Sequence, residues 1–119
     1  MSKLIQIIED DEAIRDVIEY ILQQSDYEVT VASNAREFKV NLLHTLPDLI
    51  LMDVRLPDGN GLQLCRKLKH SLETKNIPVI IMSAHANAEE SSRDALADDF
   101  IAKPFDLNDL LKRIAKHLE

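Results

Sequence analysis

The sequence predicts a doubly wound α/β domain, a five-stranded parallel sheet of the (βα)5 kind, as one domain over residues 1–119. Three observations predict it. Short runs rich in Ile, Val and Leu recur along the chain, segments of helical apolar spacing lie between them, and the two kinds of segment alternate. Strands apolar along their whole length belong to parallel sheets with helices on both faces. Strand and helix in alternation are joined by right-handed crossovers.

The runs are Leu4 to Ile8, Val29 to Ala32, Leu49 to Met52, Val79 to Met82 and Phe100 to Ala102. Between the first two, Ile14, Val17, Ile18, Ile21 and Leu22 fall on one helical stripe. Phe38, Leu42 and Leu46 mark a second helix, and Leu62, Cys65, Leu68 and Leu72 a third. The fourth, near Ala88 to Ala95, presents Ala88, Ser92 and Ala95, a face that buries little apolar area, so it should be the helix readiest to shift. The last carries Leu107, Leu110, Leu111, Ile114 and Leu118 on one stripe, with Asp106 as N-cap and Asp109 in the first turn, where the helix dipole favours an acid. A strand order of 2-1-3-4-5 follows, which puts the ligand crevice at the carboxyl ends of strands one and three, where the order reverses.

Composition narrows the function. No apolar stretch approaches the ~20 residues that cross a bilayer, and the N-terminus lacks a signal-peptide pattern, so the expectation is a cytoplasmic protein without a membrane partner. Cys65 is the only cysteine, which excludes an internal disulfide and fits a reducing compartment. A net charge of −7, with no dense cluster of Lys and Arg, disfavours direct nucleic-acid binding.

The crevice collects carboxylates. Strand one ends in Glu9, Asp10, Asp11 and Glu12, and strand three runs into Asp53, followed by a turn at Pro57, Asp58, Gly59, Asn60 and Gly61. Two such charges ~4 Å apart repel by roughly 4 kcal/mol at an effective dielectric of 20, so the cluster calls for a cation or shifted protonation. Mg2+, a hard ion held by one or two carboxylates together with phosphate oxygens, answers this need, and Mn2+ is the alternative. Asp11 and Glu12 read better as first-turn helix acids. Strand four reaches Ser83, and strand five reaches Lys103 before Pro104, so a hydroxyl and an ammonium border the same crevice. Together these groups make a phosphoryl pocket: a nucleophilic carboxylate, cationic neutralisation and a hydrogen-bond donor.

The segments IIEDDEAIR, DLILMDVRLPDGNGL, PVIIMSA and ADDFIAKPF closely resemble the receiver domains of bacterial response regulators, from Ile5 to Leu118. The resemblance implies a flavodoxin-like receiver fold and a phosphoacceptor switch of a two-component phosphorelay rather than an enzyme. Asp53 would take a phosphoryl group from a sensor histidine kinase or a histidine phosphotransfer protein. It implies Mg2+ on Glu9, Asp10, Asp53 and the Arg55 backbone carbonyl, phosphoryl contacts from Ser83 and Lys103, and a cis bond before Pro104. Arg55 and His85 would border the pocket and tune hydrolysis of the acyl phosphate. Phe100 stands where the family's switching aromatic is more usually Tyr. Leu96 stands where the family often has glycine; since leucine disfavours positive φ, the expectation is a different turn or a longer helix. Ile14, Pro104 and Phe105 would receive the kinase's helical bundle. The fourth helix, fifth strand and fifth helix would form the output face, toward an unidentified partner or fused effector, or toward a second copy in a homodimer.

Three other readings compete. A phosphatase with an aspartyl nucleophile usually has a carboxylate two residues on as general acid, and that place is Arg55. A flavin site would need donors where the loop after strand one is acidic. A constitutive module that is never phosphorylated would keep the fold without using the acidic set.

Overall fold

A computed structural model describes residues 2–85 and 87–119. Seven strands and five helices occur among them: β1 (Leu4–Ile8), α1 (Glu12–Gln24), β2 (Glu28–Ala32), α2 (Ala35–His44), β3 (Leu49–Asp53), β4 (Arg55–Leu56), β5 (Gly59–Asn60), α3 (Gly61–Lys69), β6 (Val79–Ser83), α4 (Ala88–Asp94), β7 (Asp99–Ala102) and α5 (Leu107–Leu118). The five longer strands form one parallel sheet in the order β2-β1-β3-β6-β7, the predicted 2-1-3-4-5 arrangement, while β4 and β5 pair as a small antiparallel hairpin.

Strand alternation divides the core. Ile5, Ile7, Leu49, Leu51, Ile80 and Met82 face α1 and α5, meeting Ile18, Leu22, Leu110 and Ile114. Ile8, Ile50, Met52, Val79 and Ile81 face the other way, toward Phe38, Leu64, Cys65 and Ala95. Strands β3 and β6 are buried at every residue, which is why their sequence reads as unbroken apolar runs that end in one polar residue each, Asp53 and Ser83.

The caps explain where helices begin. Asp11 accepts the Ile14 N–H, Asn34 the Glu37 N–H, Asn60 those of Leu62 and Gln63, and Asp106 those of Asn108 and Asp109. Helix α4 has no such side-chain bond and buries only small residues, Ala88 and Ser92, with Ala95 just beyond its end. Two helices end in the same way. After α1, Asp26 adopts φ 68°, its N–H bonding the Gln23 carbonyl while the Tyr27 N–H reaches Leu22. After α4, Leu96 adopts φ 67°, with Leu96 N–H on Arg93 and Ala97 N–H on Ser92. Both are Schellman closures. The expectation that Leu96 would avoid positive φ is therefore corrected: two hydrogen bonds of the closure hold it there.

Two helical stripes prove shorter than predicted. Helix α2 stops at His44, since Thr45 is already extended at φ −154° before Pro47, and this leaves Leu46 outside it. Helix α3 stops at Lys69, and Leu72 stands 83 % exposed in the turns that follow.

Candidate functional site

Adjacent parallel strands present their carboxyl ends at one edge of the sheet, and the site is built from those ends. The carboxylates of Glu9, Asp10 and Asp53 lie with one oxygen of each within 4.8 Å of the others. Glu9 is buried, Asp53 is 9 % exposed and Asp10 faces solvent. From the end of β7, Lys103 Nζ donates to Glu9 Oε1 at 2.5 Å and to Asp53 Oδ2 at 3.1 Å. Glu9 is further fixed at both ends: its Oε2 accepts the Asp11 N–H at 3.2 Å, and its carbonyl accepts from Arg15 Nη1 at 3.0 Å.

The electrostatics follow from a surplus of carboxylates over ammonium. Burial pushes the Glu9 carboxyl up to about 7, against the pull of its Lys103 hydrogen bond and with the help of Asp53. Burial alone would lower the Lys103 ammonium, but its hydrogen bonds to Glu9 and Asp53 outweigh this and hold it above the ordinary lysine value. One ammonium serving several carboxylates keeps its own proton yet leaves Glu9 short of compensation. An all-oxygen set of carboxylates with one member open to water fits a hard, partly hydrated divalent ion.

Backbone geometry frames the pocket. A Cβ on Gly61 would lie 2.1 Å from the Asp53 carbonyl oxygen, so only glycine lets α3 start this close to the end of β3. The Gly61 N–H bonds the Val54 carbonyl at 2.7 Å, and Arg55 pairs with Asn60 one step further along the hairpin. Arg55 and Asn60 are thus a non-hydrogen-bonded pair, whose carbonyls point out of the ladder. The Arg55 side chain is exposed.

Ser83 is 2 % exposed, and its Oγ accepts the His85 N–H at 3.1 Å; Lys103 N–H closes onto the Ser83 carbonyl at 2.9 Å. His85 itself is exposed, and the Lys103–Pro104 bond is cis. Phe100 is half-buried against the α3 side of the core, and its carbonyl accepts from Arg113 Nη1 at 2.7 Å. Ile14, Pro104 and Phe105 line one apolar groove beside the pocket with Ala13, Val17 and Leu107. Val17, expected on the core stripe of α1, is 50 % exposed there, and of that stripe only Ile18 and Leu22 are fully buried. The sequence reading overlooked two contributors, Gly61 and Arg15. The Asp-Gly pair after Pro57 signals a turn, but nothing local tells what the turn touches.

A parallel sheet with an acidic cluster and a lysine at its carboxyl edge defines a module for handling phosphoryl groups. The chain belongs to the response regulator receiver domain family, whose model matches residues 5–115. As a member it is a phosphoacceptor signalling module of two-component systems. The phosphate regulon transcriptional regulatory protein PhoB of Rhizobium meliloti is 34 % identical over 116 residues, 96 % of this chain and 51 % of that protein. The DNA-binding dual master transcriptional regulator RpaA of Synechocystis is 33 % identical over 112 residues, 92 % of this chain and 46 % of that protein. The chain thus spans about half the length of these curated relatives. Among solved structures, the receiver domain of a signal transduction histidine kinase from Syntrophus aciditrophicus superposes with a TM-score of 0.91 at 33 % identity, covering 98 % of this chain and 90 % of that one. The receiver domain of a Pseudomonas aeruginosa sensor histidine kinase, with a magnesium ion coordinated in its active site cleft, gives 0.88 at 26 % identity, covering 99 % and 98 %. No helix among the described residues is long and apolar enough to cross a membrane.

Proposed function

We propose that this chain folds as one receiver domain and that Asp53 is its phosphoacceptor, taking a phosphoryl group from a phosphohistidine of a kinase or phosphotransfer protein. The observation that carries this reading is the setting of Asp53: a nearly buried carboxylate at the end of a central strand, beside two more carboxylates and 3.1 Å from the Lys103 ammonium. An Asp53 oxygen forms the new bond to phosphorus while the phosphorus–nitrogen bond of the donor breaks, its electron pair leaving with the imidazole. Glu9, Asp10, Asp53 and the Arg55 carbonyl would hold Mg2+, with Mn2+ as a substitute, and the ion would offset charge on the transferred oxygens.

Lys103 already reaches the acceptor oxygen, so it would contact the phosphoryl group after a small shift. Ser83 spends its lone pair on the His85 N–H and keeps its hydroxyl proton to donate. Its movement would pull on the segment leading into α4, the helix with the least apolar burial. Phe100 would follow, and lacking a hydroxyl it forgoes a hydrogen bond worth ~0.5–1.5 kcal/mol. Full reversal of a two-state population takes roughly 5.5 kcal/mol, so this loss blunts the switch without abolishing it. Arg55 and His85, exposed beside the pocket, would set how readily water reaches the acyl phosphate.

The groove of Ile14, Pro104 and Phe105 would receive the donor's helices, its volume of about 640 Å3 suiting apolar side chains. The face of α4, β7 and α5 would carry the output, to another protein, a fused effector or a second copy. On that face Arg113 bridges Asp99 and Asp109 while His117 also bonds Asp99, so a docking partner would exchange these pairs for its own. The working location would be the cytoplasm.

The test is incubation with phosphoramidate, with and without Mg2+, read by intact mass. One added phosphoryl group that requires both Mg2+ and Asp53 is expected. Labelling of Asp53→Asn, or no label on the unaltered chain when a control receiver is labelled, would overturn the assignment.

A further inference from the structure

We propose that Asp58 is a positioning residue for the metal site: it clamps the loop after β3 onto the N-terminus of α2 and thereby fixes the Arg55 carbonyl. This rests on the functional reading above and deepens it. Asp58 Oδ1 accepts the Ala35 N–H at 2.8 Å and Oδ2 accepts the Arg36 N–H at 3.1 Å, across 23 and 22 positions of sequence. A carboxylate there also meets the positive end of the helix dipole.

Helix α2 does not need this contact to begin. It has its own N-cap in Asn34, which takes the Glu37 N–H at 2.8 Å, while Glu37 Oε1 turns back to the Ser33 N–H and hydroxyl. The beneficiary is the loop. Asp58 sits in the turn between β4 and β5, and the arm leading into that turn carries Arg55. The hairpin has only two paired positions, so it cannot hold its own orientation, since an isolated ribbon even of ordinary length is marginal in water. It is held at three places: by Gly61 N–H on Val54, by Leu56 in the core, and by Asp58 on α2. A Cβ placed on Gly59 would lie 3.6 Å from the Ala35 Cβ, so hairpin and helix are already in contact beside the clamp. Of the three, the clamp is the one that a surface substitution removes without touching the core or β3.

The experiment compares Asp58→Ala with Asn34→Ala, which strips the local cap from the same helix and leaves the clamp intact. Mg2+ alone is titrated into each uniformly labelled chain and followed by amide chemical shifts, and hydrogen exchange of the Leu56 and Gly61 amides is measured without metal. Asp58→Ala should weaken Mg2+ binding roughly tenfold, the scale of losing an outer support of a metal ligand, and should speed exchange at Leu56 and Gly61. Asn34→Ala should lower stability yet leave both readouts unchanged. Equal Mg2+ affinity and unchanged exchange in Asp58→Ala would reduce Asp58 to a second helix cap and overturn the proposal. Absence of any Mg2+-dependent shift in the unaltered chain would instead overturn the functional reading, and unchanged exchange at Gly61 would still count against the clamp by itself.

Discussion

Lys103 Nζ stands 2.5 Å from Glu9 Oε1, so the ammonium of the last strand already compensates a buried carboxylate of the first. A cation entering between Glu9, Asp10 and Asp53 competes with it. Lys103→Met, which keeps the stem and removes the charge, is expected to tighten Mg2+ binding, on the order of tenfold for a charge–charge term between about 1 and 4 kcal/mol. Titration of Mg2+ by calorimetry checks this; an affinity that stays level or falls would mean the two cations do not compete.

Gly61→Ala is expected to destabilise the fold by about 1–3 kcal/mol, because the new methyl would overlap a backbone oxygen that has no soft rotamer to yield. The same shift moves the end of β3, so labelling of Asp53 should slow as well. Urea midpoints and phosphoramidate kinetics report the two effects separately. A variant as stable as the parent would show that α3 can back away at no cost.

Leu96→Gly should stabilise by roughly 0.5–1 kcal/mol, since leucine is held at φ 67° where glycine is at ease, and its side chain is 53 % exposed. Asp26→Gly, at φ 68°, should gain less, because aspartate visits this region more readily. Paired urea melts decide it; a larger gain at Asp26 would contradict the account.

These positions also mark what the sequence could and could not reveal. The central strands β3 and β6 were legible because burial on both faces leaves unbroken apolar runs, and the polar residue closing each, Asp53 and Ser83, announced the site. Leu46 and Leu72 misled because helical spacing persists past the residue where the backbone turns away, at Thr45 and His70. Leu96 ran against expectation because two backbone hydrogen bonds of the helix closure hold its φ, and they are not written in its side chain. The roles of Gly61 and Asp58 depend on how closely α3 and α2 approach the loop, distances that emerge only when both helices rest on the sheet.

The acid limb of stability should report Asp99. Burial alone would raise its carboxyl, but the His117 hydrogen bond, the Phe100 N–H and Arg113 together hold it below the usual value of 3.8. A folded-state value below the unfolded one means that this stabilisation is present above the unfolded value and is lost as pH falls through the folded one. Asp99→Asn should therefore cost up to about 1 kcal/mol near neutrality, a modest figure because the cluster is partly exposed, and nothing at strongly acid pH. Urea midpoints of both chains across that range test the sign; a gap that widens on acidification would reverse it.

The Glu9–Lys103 contact closes a span of 94 residues, joining the first strand of the sheet to the last. On the ribosome, the acidic pocket therefore lacks its lysine counter-charge until nearly the whole domain has emerged. A nascent or truncated chain could assemble β1 and β3 yet would lack the lysine that makes their juxtaposition tolerable. The ammonium that this protein itself supplies to its acidic pocket thus arrives only as the sheet is completed.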